Sequence, residues 1–95
     1  MVKKDVGEIF ASYPVMTASL FGSRANGSAG KNSDYDYMVE FGPEYTATQY
    51  FDMWDELEAA HEAPVDIITP KMLLEMHPHF KTKVEKEMRV VYEKQ

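Results

Sequence analysis

The sequence predicts an α/β (α+β) fold, a mixed sheet of about four strands flanked by helices. Three observations lead there. Stretches of helical periodicity interrupt short apolar runs, Gly and Pro punctuate the chain at regular intervals, and the order reads helix, strand, strand, helix, strand, helix, strand. The 95 residues fit one domain, 1–95, and 44% of them are hydrophobic, enough for a packed core.

Val6, Ile9, Phe10 and Tyr13 recur at helical spacing, so roughly residues 3–13 form an amphipathic helix that Pro14 ends. Val15 to Phe21 is a short, mostly apolar run that stops at Gly22-Ser23 and reads as a buried strand. Residues 24–33, rich in Gly, Ser and Asn, form a turn-rich loop opening with one helical turn. Asp34 to Phe41 alternates: Tyr35, Tyr37, Val39 and Phe41 share one face, and Asp34, Asp36, Met38 and Glu40 the other.

Gly42-Pro43 closes that strand. Thr46 and Gln49 are spaced as a capping box for a helix reaching about His61, with Tyr50, Trp54, Leu57 and His61 along one stripe. Pro64 to Thr69 is a third strand, and Thr69 is placed to cap a helix with Pro70 at its first position. Pro70 to Glu87 reads as helical but broken at Pro78, and Arg89 to Tyr92 as a last, edge strand. Met72, Leu73, Leu74 and Met76 carry more apolar surface than one helix buries, which points to core first and a protein interface second.

Composition narrows the function. There is no cysteine, so disulfides and thiolate zinc sites are excluded. No apolar run approaches the roughly 20 residues that span a bilayer, so no membrane partner is expected. Met1-Val2-Lys3-Lys4-Asp5 is not the start of a signal peptide, and the default location is the cytoplasm. The net charge of −6 repels polyphosphate and argues against direct nucleic-acid binding. A divalent cation between carboxylates reverses that logic locally, so the charge leaves a nucleotide ligand open.

Three features carry the chemistry. Gly22-Ser23 ends a strand, where glycine lets the backbone approach a ligand and Ser23 can turn N–H and hydroxyl toward phosphate oxygens. Asp34 and Asp36, two apart in a strand, aim both carboxylates at one point, and a hard oxygen-loving cation is the simplest relief of their repulsion. Asp66, within Val65-Asp66-Ile67-Ile68, needs a partner if buried. It completes a two-metal site with ions about 3.5–4 Å apart, or it is a strand-edge carboxylate paired with a lysine. Asp66 is also the candidate to take a proton from an acceptor. Arg24 either contacts phosphate or makes a surface ion pair, and Lys31 is solvated in the loop. His61, His77 and His79 lack ligand spacing and fit surface or helix-end roles.

Gly22-Ser23-Arg24-Ala25-Asn26-Gly27 followed by Ser33-Asp34-Tyr35-Asp36 resembles the signature of the nucleotidyltransferase superfamily related to DNA polymerase β. That signature is a strand ending in Gly-Ser, a spacer of about ten residues, Asp-x-Asp, and a third carboxylate on a later strand, matched by Asp66. The length resembles the minimal nucleotidyltransferase (MNT) group, often the antitoxin half of a gene pair whose toxin is a helical HEPN ribonuclease. The resemblance implies a palm-like fold. It implies that Asp34, Asp36 and Asp66 are catalytic and hold Mg²⁺, two ions with Mn²⁺ as the alternative, and that Gly22, Ser23 and Arg24 bind ATP or another nucleoside triphosphate.

The implied reaction is transfer of AMP from ATP to a hydroxyl of a partner protein, a HEPN-type toxin modified on tyrosine. Homo-oligomer formation is open. The group commonly has Arg-Ala-Arg-Gly after Gly-Ser, and here Asn26 replaces the second arginine, which leaves a hydrogen-bond donor but removes a phosphate-neutralising charge. That departure keeps two alternatives in view: an antitoxin that masks its partner sterically over a vestigial nucleotide site, and a nucleotide sensor that binds ATP without transfer.

Overall fold

Residues 5–27, 30 and 34–94 are described in a computed structural model of the chain; of Asn26 only the backbone is described. Helix α1 is Val6–Ala11, ending before Tyr13; residues 3 and 4 of the expected helix lie outside the described residues. The Asp5 side chain caps α1 by accepting the Gly7 N–H at 3.0 Å, so the expected helical residue becomes the stop that starts the helix. Strand β1 is Val15–Phe21, as expected, and one helical turn, α2, follows at Ser23–Asn26. Residues 28, 29 and 31–33 of the expected loop, Lys31 included, lie outside the described residues.

Strand β2 is Tyr35–Phe41, beginning one residue after Asp34. Helix α3, Ala47–His61, starts on the full capping box: the Thr46 hydroxyl accepts the Gln49 N–H, and the Gln49 side chain accepts the Thr46 N–H at 2.9 Å. Strand β3 is Val65–Ile68, helix α4 is Pro70–Leu74 capped by Thr69, and helix α5 is Pro78–Glu87 capped by His77. The break at Pro78 is therefore a gap between two helices. Strand β4, Arg89–Glu93, closes the chain. Among the described residues no helix is long and apolar enough to cross a membrane.

The sheet order is β3-β2-β1-β4. β1 runs antiparallel to both β2 and β4, while β2 and β3 are parallel and need the crossover that α3 supplies. The alternation read in β2 sorts its residues onto two cores. Tyr37 and Val39 join Ile9, Phe10, Val15, Ala18, Met53 and Leu57 on the face covered by α1 and α3. On the other face, Met38 packs against Phe21, Ile68, Leu73 and Val84, so α4 and α5 cover the side that also carries Asp36. Each fully buried Leu or Phe of these clusters stabilises the fold by roughly 1.5–3 kcal/mol.

The stripe on α3 divides in a way the periodicity does not show. Met53 and Leu57 face the core, while Tyr50, Trp54 and Glu58, one turn apart, reach over the open edge of β3. The Trp54 indole donates to the Val65 carbonyl at 2.6 Å, the Tyr50 hydroxyl to the Ile67 carbonyl at 3.4 Å, and the Glu58 carboxylate accepts the Val65 N–H at 3.0 Å. These contacts occupy backbone groups that point away from β2 and would otherwise template further pairing. Of the apolar run on α4, Leu73 is buried, whereas Met72 and Leu74 are exposed.

Candidate active site

Gly22 follows β1 with φ 76° and ψ −156°, a backbone region essentially restricted to glycine. A Cβ there would stand 2.7 Å from Asp36 Oδ2. Glycine therefore does two things: it turns the chain into α2 and leaves room for the Asp36 carboxylate opposite the end of β1, where Phe21 and Asp36 are register partners. Gly27, at φ 82°, ends α2, and the Arg89 Nε donates to the Ala25 carbonyl at 3.0 Å, tying α2 to β4.

Asp36 and Asp66 are register partners across the parallel β2/β3 pair, so their side chains leave the same face side by side. Asp36 is half-buried. Desolvation raises its carboxyl above the ordinary value of 3.8, and repulsion from Asp66 and then Asp34 adds to the rise. Asp66 and Asp34 thus both act electrostatically on Asp36. Their burial is less than expected: Asp66 and Asp34 are both exposed, and Asp34 stands just before β2. Burial of a lone charge therefore gives no reason for Asp66; its position beside Asp36 does. The strand is short and at the sheet end, which is why the apolar neighbours do not enclose it.

An all-oxygen donor set with a half-buried, charge-repelled carboxylate fits a hard divalent cation. Among the described residues no three acidic or histidine side chains are gathered closely enough to hold an ion as they stand, so binding would draw the carboxylates inward.

A cleft of about 580 Å³ opens beside these carboxylates, a size that suits a nucleotide. Gly22, Asp36 and Asp66 line one side, and Phe21, Ile68, Met72 and Phe80 give it an apolar wall. Lys83 and Glu87 of α5 complete it. Neither was singled out in the sequence, where Lys83 is one of several charges in a polar helical stretch. Ser23 opens α2, next to Gly22 but outside the cleft lining.

Arg24 also lies outside that lining, its guanidinium 4.3 Å from the centroid of the Tyr35 ring, a cation–π contact. The same tyrosine stacks on His61 with ring centroids 3.6 Å apart, and the Tyr37 hydroxyl lies 2.6 Å from His61 Nε2. His61 thus has the helix-end role its spacing implies, as does His77, whose ring accepts the His79 N–H at the start of α5.

A family model described as polymerase beta, nucleotidyltransferase matches residues 4–95. The chain belongs to that nucleotidyltransferase family. A Methanocaldococcus jannaschii chain provisionally named protein adenylyltransferase is 33% identical over 78 residues, covering 80% of this chain and 76% of the relative. A solved chain provisionally described as a minimal nucleotidyltransferase superposes with a TM-score of 0.71 at 26% identity, over 88% of this chain and 83% of that one. A chain of the complex between a tri-AMPylated Shewanella oneidensis HEPN toxin and its MNT antitoxin superposes with a TM-score of 0.55 at 16% identity, over 86% of this chain and 60% of that one. At that identity the last likeness shows the fold alone. For this nucleotidyltransferase, the match extends over the Gly22 turn, Asp34, Asp36 and Asp66 alike.

Proposed function

We propose that this nucleotidyltransferase transfers AMP from ATP to a hydroxyl of a partner protein, and that it serves as antitoxin to a HEPN-type helical toxin in the cytoplasm. The observation that carries the reading is the pairing of Asp36 with Asp66, beside the Gly22 turn, in the lining of a nucleotide-sized cleft. The adenylyl donor and the protein acceptor follow the name of the M. jannaschii relative, and the toxin partner follows the Shewanella complex.

Asp34, Asp36 and Asp66 would hold Mg²⁺, which offsets phosphate charge and polarises the reacting oxygens. Gly22 and Ser23 would receive the triphosphate, the glycine by leaving its backbone open to close approach. The acceptor oxygen forms a bond to the α-phosphorus while the bond from that phosphorus to the bridging oxygen breaks and pyrophosphate leaves. Asp66, exposed and beside Asp36, takes the acceptor proton. The chain holds the catalytic side of the reaction, so the partner must present its own hydroxyl at the cleft.

One pair of observations favours a second reading, a masking antitoxin with a relic site: Asn26 stands where the group has arginine, and Arg24 is turned onto Tyr35. Proteins of the source lysate, incubated with the chain and Mg²⁺-ATP, are searched by mass spectrometry for AMP on a hydroxyl. Transfer requires a modified protein that disappears with Asp34→Asn/Asp36→Asn. Masking requires that the partner be retained by that variant and never be modified.

A further inference from the structure

We propose that Lys83 is the residue that binds the β- and γ-phosphates of the incoming triphosphate, the portion that leaves as pyrophosphate; this rests on the cleft being a nucleoside triphosphate site. The cleft is strongly acidic, with Asp36, Asp66 and Glu87 in its lining and Asp34 close enough to push the Asp36 carboxyl upward. A triphosphate brings about four more negative charges, and metal held by the aspartates is already partly neutralised by them. A protein cation must meet the terminal phosphates. Arg24, where the sequence places that charge, sits over Tyr35 outside the lining. Among the described residues that line the cleft, Lys83 is the cation.

Its placement is fixed by the helix. Phe80, Lys83, Val84 and Glu87 all line the cleft, and they stand at i, i+3, i+4 and i+7 along α5, which is one face. Val84 is only 2% exposed, packed in the second core, and Phe80 meets Phe21 edge to face with ring centroids 6.5 Å apart. These two anchors set the rotation of α5 about its axis. Lys83, between them, is thereby held at the rim with its head group in solvent and able to swing over the cleft. A flexible ammonium suits a terminal phosphate group that must be gripped as a point charge and then released.

The test compares binding of ATP, AMP and inorganic pyrophosphate to the full chain by calorimetry, with and without Mg²⁺, for the wild type, Lys83→Ala, Lys83→Arg and Lys86→Ala. Lys86 is on the same helix outside the cleft lining and reports general electrostatics. Lys83→Ala is expected to weaken ATP and pyrophosphate about tenfold while leaving AMP unchanged, with Lys83→Arg restoring most of the loss and Lys86→Ala without effect. Equal loss for ATP and AMP, no loss for either, or the same loss from Lys86→Ala would overturn the assignment. A wild-type chain that binds no triphosphate would instead overturn the nucleotide reading beneath it.

Discussion

Gly22 and Asp36 interlock: the space a Cβ on Gly22 would fill lies 2.7 Å from Asp36 Oδ2. The glycine is therefore part of the carboxylate's position as well as the turn's conformation. Gly22→Ala should cost about 1–3 kcal/mol from backbone strain alone, lowering the melting temperature by several degrees. Because Asp36 must also shift, AMP transfer should fall about a hundredfold. A variant with unchanged melting and full transfer would show that the turn is not tied to the site.

Asp36 gives a stability prediction opposite in sign to that of a paired carboxylate. Its folded value is raised above 3.8, by burial first and then by Asp66 and Asp34. The folded state thus binds the proton more tightly than the unfolded chain, and stability falls as pH rises from 3.8 through the folded value. Asp36→Asn should melt higher than wild type at neutral pH in chelator, and the difference should vanish as pH falls below 3.8. Added Mg²⁺ should raise the melting temperature of the wild type and leave the variant unmoved. Thermal scans across pH, with and without metal, check both parts.

The edge of β3 depends on α3 side chains. Trp54→Phe keeps most of the aromatic surface but removes the 2.6 Å hydrogen bond to the Val65 carbonyl. The expected loss is about 1–3 kcal/mol in urea unfolding. Since Asp66 follows Val65 directly, transfer should fall as well, by more than the stability loss accounts for at room temperature.

Thr46→Ala removes one half of the capping box at the far end of α3 from His61. It should cost about 1 kcal/mol and leave transfer intact, which makes it the control for variants near the cleft. Circular dichroism melts and the transfer assay together give the comparison.

The elements legible in the sequence are those set by neighbours along the chain. The Thr46/Gln49 box, the Thr69-Pro70 start and the Gly22-Ser23 stop each need only a few adjacent residues, and each stands where its local chemistry puts it. The alternation of β2 likewise separated Tyr37 and Val39 from Asp36 before any partner strand was known. What escaped depends on distant parts of the chain. The order β3-β2-β1-β4, the use of Trp54 as an edge cap and the exposure of Asp66 follow from which strand meets which.

The site divides the same way. The shared strand face of Asp36 was legible from strand spacing, but its juxtaposition with Asp66 comes from the β2/β3 register, and Asp66 is exposed where its apolar neighbours implied burial. Lys83 was not legible, because its stretch reads as a solvated helix until Val84 and Phe80 show which face meets the cleft. The contact of Arg24 with the Tyr35 ring was not legible either, because the two lie eleven positions apart and meet only through the fold.

The most direct measurement follows two labels. The chain is incubated with Mg²⁺ and lysate proteins in parallel reactions, one with ATP labelled at the α-phosphate and one at the γ-phosphate. Nucleotidyl transfer requires that the α-label enter a protein band, that the γ-label remain in released pyrophosphate, and that Asp34→Asn/Asp36→Asn abolish the band. Entry of the γ-label into protein, or an α-labelled band that survives the double variant, would contradict the account.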